Sequence, residues 1–79
     1  MDEVYKIIDK IDDLRAGYVL RGLVRIYEQS SIKNLSLNYG AVSGAVLTMS
    51  SLEIINKSDA DNLNKLMLDN LEFRLKKHK

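Results

Sequence analysis

Asp9, Asp12 and Asp13 form the densest group of carboxylates in the chain, and paired carboxylates are the commonest means of general acid–base chemistry. That chemistry needs carboxyl groups desolvated in a pocket. The spacing here instead places them, with Lys10, on the polar side of an amphipathic helix, so a hydrated face is the reading adopted. The single histidine, His78, is second from the C-terminus, where a solvated tail is expected. There is no Cys, which excludes a thiol nucleophile and a disulfide framework, and one His cannot build the usual zinc site. Gly40 and Gly44 lack the Lys-Ser/Thr and the preceding strand of a phosphate-binding loop. No enzyme, metal or cofactor is expected.

Binding chemistry has more to work with. Arg15, Arg21 and Arg25 are three of only four arginines, in a chain with eight lysines, and they flank Tyr18. A solvated face pairing with Asp12 or Glu28 explains them in one way. The other is a basic, partly aromatic patch for an acidic protein surface or nucleic acid. A second group is the small-residue stripe of Gly40, Ala41, Gly44 and Ala45, beside Leu47. Residues without bulk at four-residue spacing let two backbones come close. The contact is either with another helix of the same chain or with a second copy, through Gly40, Gly44 and Leu47.

The elements that must carry these groups are helices. The chain has no Pro and little strand-like alternation. Val4, Ile7, Ile8, Ile11, Leu14 and Tyr18 share one helical face, and beyond Gly17 the apolar stripe moves to Leu20, Leu23, Val24 and Tyr27. We expect a single long helix over about 2–29, a break at Ala16-Gly17 being the alternative. A second helix over 38–55 carries one charge, Glu53, and is apolar or small all round, which predicts burial on most sides. Its Ser, Thr, Gly and Asn content argues against a membrane span. A third helix starts at Ser58, as its cap, and ends in the basic run Lys76, Lys77 and Lys79, where the helix dipole favours cations.

Leu35, Ser36, Tyr39, Gly40, Ala41, Val46 and Met49 resemble the helix-turn-helix motif, with Gly40 as the turn glycine. The resemblance covers about 20 residues and implies DNA binding. It departs from the pattern at Ala41, where a larger aliphatic is usual. The face that should read base edges, Val42, Ser43, Gly44, Leu47 and Thr48, carries no Arg, Lys, Gln or Asn.

Seventy-nine residues with a formal net charge of +1 make one domain, 1–79, with no general attraction to nucleic acid. So small a domain buries only about 60% of its unfolded surface, and without disulfides or metal it relies on packing and self-association. The acidic N-terminus is unlike a secretory signal, and neither a myristoylation site nor a prenylation site is present, so a cytoplasmic location is expected. Ile, Asn and Lys supply 21 of 79 residues, a bias of AT-rich genomes that suits a phage-encoded protein. The sequence thus predicts an all-α bundle of three helices, four if the first breaks, forming a homodimer. Its expected function is that of a non-enzymatic inhibitor or regulator that docks a protein partner. DNA binding and a subunit of a larger assembly are the alternatives.

Overall fold

Apolar side chains at three- and four-residue spacing, with no proline to interrupt them, give a chain that is all helix and turn. The computed structural model describes residues 1–78, and among them there is no strand. Four helices follow one another: α1 (Asp2–Asp9), α2 (Leu14–Glu28), α3 (Leu35–Ser51) and α4 (Lys57–His78), with a short 3-10 turn at Ile32–Asn34 leading into α3. Each helix packs on the next, and α4 closes back on α1. α2 and α4 meet across the middle through side chains. One core joins Val4, Ile8, Leu20, Val24, Tyr27, Leu35, Val42, Val46, Leu63 and Met67. The molecule measures 38 × 21 × 19 Å.

The expected single helix over 2–29 is two helices, and the break lies at residues 10–13 rather than at Ala16-Gly17. The Ile11 amide bonds the Ile8 carbonyl (3.1 Å), the Ile11 side chain is buried in the turn, and the Asp13 carboxylate accepts from the Ala16 amide (3.0 Å) to cap α2. The turn lets the apolar face of α1 reach the core. Gly17 lies within α2, where a Cβ would sit 3.6 Å from the Ile8 carbonyl oxygen. That is an ordinary van der Waals distance, so the crossing of α1 over α2 does not require glycine there.

Two more boundaries differ from the sequence reading. α3 begins at Leu35 and ends at Ser51. Its end is a Schellman turn: Glu53 donates to the Ser50 carbonyl (3.0 Å), and Ile54 to that of Met49 (2.8 Å). Glu53 holds the left-handed position, φ 61°, where glycine is usual. α4 is capped by Asn56, not Ser58. The Asn56 side-chain oxygen accepts from the Asp59 amide (2.7 Å) while its amide group donates to the Asp59 carboxylate (3.2 Å). The first bond satisfies a backbone donor that a bare helix start leaves open, and the second ties the two side chains together. Asp61 then pairs with Lys57 at 3.2 Å, one turn earlier in the same helix.

Candidate interaction surfaces

The arginine group separates on folding. Arg15, Tyr18 and Arg25 are exposed on the outside of α2, Tyr18 by 81%. Arg21 points toward α1, where it pairs with Asp9 and lies over the Tyr5 ring, 5.5 Å from its centre. It does not join the expected partner face, because the turn at 10–13 brings α1 against that flank of α2. The side of α2 that remains outside carries Leu14, Tyr18, Val19 and Ile26, with Arg15 and Arg25 among them.

The Arg21 flank is polar and closed on itself. The Tyr5 hydroxyl donates to the Glu28 carboxylate, which ties the first turn of α1 to the last turn of α2. Burial, that hydrogen bond and the carboxylate's negative charge push the Tyr5 hydroxyl up to about 12 from its ordinary 10.0. The folded chain therefore holds this proton more tightly than the unfolded chain. The stability this provides is whole below pH 10 and is lost as pH climbs toward 12. Urea midpoints measured across the alkaline range are expected to fall, and Tyr5→Phe should make the fall shallower. Tyr27, also pushed up, chiefly by burial, adds to the slope in the same direction.

α3 has a different character. Leu35, Val42 and Val46 are buried and Tyr39, Ala45 and Met49 half-buried, all on one side. The rest of the cylinder faces solvent: Leu37, Gly40, Ala41, Gly44, Leu47 and Thr48 are exposed. The expected burial on most sides is corrected here, because only α2 and α4 flank α3 and nothing covers its outer face. The Asn38 amide group bonds Ser30 just beyond the end of α2, and Leu47 borders a depression shared with Lys57, Asp61 and Asn64 of α4. Gly40 and Gly44 lie between those flanks. A Cβ added at either meets nothing within 4 Å. The fold itself has no need of glycine there, so packing within the chain does not explain the small-residue stripe. The outer face of α3 carries no charge over its 17 residues.

α3 also runs unbroken through Gly40, and none of the glycines has a positive φ. The turn of a helix-turn-helix is therefore missing from residues 35–49, and Val46 and Met49 extend the helix that begins at Leu35. Of the three clustered carboxylates, Asp9 pairs with Arg21 and Asp13 caps α2. Among the described residues no side chain classed as polar or charged is buried, and no three His, Asp or Glu side chains stand where they could hold a metal ion. No helix among them is long and apolar enough to cross a membrane.

Arg74 escaped the sequence reading. It donates to the carbonyls of Tyr27 and Ser30 (2.9 Å each) and covers the Tyr27 ring at 5.1 Å, closing the end of α2. Its partners are backbone groups more than forty residues away, so no local pattern marks it.

Comparison with known proteins gives no match: no family model fits the sequence, and no curated protein and no solved structure is similar to it.

Proposed function

We propose that this chain is a small helical interaction protein, an inhibitor or regulator that works by docking rather than by catalysis. The observation that carries the reading is the outer face of α3: uncharged, bordered by Leu37 and Leu47, and built on two glycines whose small size serves nothing inside the chain. Glycine inside a helix costs about 1 kcal/mol relative to alanine. A close approach by another backbone gives that cost a use. Self-association through Gly40, Gly44 and Leu47 is one half of the proposal. The other is a protein partner received on α2, where exposed Leu14, Tyr18 and Ile26 supply apolar contact and Arg15 and Arg25 supply charge. Tyrosine and arginine together are the composition of protein-docking centres, and the loss of the turn at Gly40 removes what had favoured DNA.

Light scattering tests the first half. Wild type is expected at twice the 9.0 kDa chain mass at micromolar concentration, and Gly44→Leu at the single-chain mass with its helical circular dichroism intact. A wild-type mass of one chain sinks self-association. For the second half, affinity capture is compared between wild type and Arg15→Glu/Arg25→Glu. A protein held by the first and lost by the second supports docking on α2; equal capture overturns it. Binding to a random DNA duplex that weakens steeply with salt would return the reading to nucleic acid.

A further inference from the structure

Val4, Ile7, Ile11, Leu14 and Tyr18 follow one another at spacings of three, four, three and four, the apolar seam of a helix that pairs with another along its length. The fold divides that seam. Val4 and Ile11 are buried and Ile7 half-buried against the chain's own core, while Leu14 and Tyr18, 84% and 81% exposed, are its two most exposed large apolar side chains. The division is made by residues 10–13, Lys-Ile-Asp-Asp, which contain neither Gly nor Pro and can all adopt a helical backbone.

We infer that α1 exchanges between two copies of this chain. Residues 10–13 straighten, α1 and α2 merge into one helix over 2–28, about 40 Å long at the usual rise per residue, and α1 enters the place between α2 and α4 of the second copy. Every contact α1 makes at home is made again there, which is why exchange is an inexpensive route to a dimer. The gain lies at the hinge. In the straight helix Leu14 and Tyr18 are on the same side as Val4 and Ile11, so they turn toward the second copy and extend the surface that α1 already buries; the partner proposed for α2 meets these two side chains only in the unexchanged chain. The cost is the Asp13 cap, given up when α2 no longer begins there. Because α1 must first leave its own core, exchange is reached by refolding at high concentration and not in the folded sample at micromolar concentration; it uses none of Gly40, Gly44 or Leu47, so Gly44→Leu leaves the refolded exchange standing.

Exchange makes the pair between Asp9 and Arg21 intermolecular, and this gives the test. Asp9→Arg alone and Arg21→Asp alone each place like charges together. In an exchanged heterodimer of the two, both pairs are opposite in sign. Mixed, unfolded and refolded together, the variants are expected to give heterodimer well above the statistical half by native mass spectrometry. Half or less, or no dimer, overturns the inference. A second pair of variants covers failure of these to fold. Asp12→Ala/Asp13→Ala, by removing the cap of α2 from each chain, should raise the dimerisation constant about tenfold or more. Four residues, Gly-Gly-Ser-Gly, inserted between Asp12 and Asp13 should abolish this dimer by letting α1 fold back freely. Unchanged self-association in both overturns it equally.

Discussion

Replacing Tyr27 by Ala is expected to remove a large share of the stability of the chain, about 3–5 kcal/mol. The side chain is fully buried, its hydroxyl donates to the Asn70 side-chain oxygen at 2.8 Å, and its ring lies beneath Arg74. Truncating a buried aromatic residue costs about 3–5 kcal/mol. A domain of this length has about 4–12 kcal/mol in all, and the loss also strands what α4 brings to the site. Tyr27→Phe separates the parts. It keeps the ring and the Arg74 contact and gives up one hydrogen bond, so its cost should be about 1 kcal/mol. Urea titrations followed by circular dichroism measure both. Equal midpoints for the two variants would show that the hydroxyl, not the ring, carries the contribution.

The second large effect has the opposite sign. Gly40→Ala/Gly44→Ala should stabilise the isolated chain by about 2 kcal/mol, since each alanine gains about 1 kcal/mol in a helix and its added methyl meets nothing in the fold. For a domain of this size that is a rise of about 10 °C in Tm. The same two methyl groups should hold a docking helix away from α3 and weaken self-association. Calorimetry at low concentration and light scattering at high concentration read the two effects separately. A more stable chain that associates as before would remove Gly40 and Gly44 from the contact. A less stable one would mean that the glycines serve the fold after all.

Helicity was legible because it depends on spacing. Val4, Ile8 and Ile11, and Leu20 and Val24, are read as apolar faces in the sequence, and the core is built on them together with Leu63 and Met67 of α4. Boundaries were less so, for reasons particular to each place. The turn at 10–13 has no helix breaker; it exists because Ile11 finds a buried site and Asp13 finds the Ala16 amide, and both are consequences of α1 folding back. Ser58 looks like a helix cap, but Asn56 takes the role because its partner Asp59 lies at the right separation to complete the exchange of bonds. The end of α3 was hidden by Glu53, which occupies a backbone conformation that a sequence announces only when the residue is glycine.

For the surfaces, residue type alone misled in one direction. Arg21 has the same chemistry as Arg15 and Arg25, and only the position of α1 assigns it to Asp9 and Tyr5. The small residues of α3 misled in the other direction. Their composition fits a buried helix, and what exposes them is the number of neighbours: α2 and α4 flank α3, and α1 is too short to pass around to it. Four helices in a ring leave the outward side of each one bare, and α3 is the one whose outward side carries no charge.

The order of that ring bears on how fast the chain reaches its structure. Each helix is beside the one that follows it in sequence, joined by a few residues, so most of the core forms by closing short loops. The contacts that span the chain are those of α4 with α1 and with the turn at 32–34, and of Asn70 and Arg74 with the end of α2 and Ser30. Local connectivity of this kind places folding in the microsecond-to-millisecond range, and without proline or cysteine the chain has no prolyl isomerisation and no disulfide exchange to delay it. A fold reached in this way has no slow step of its own.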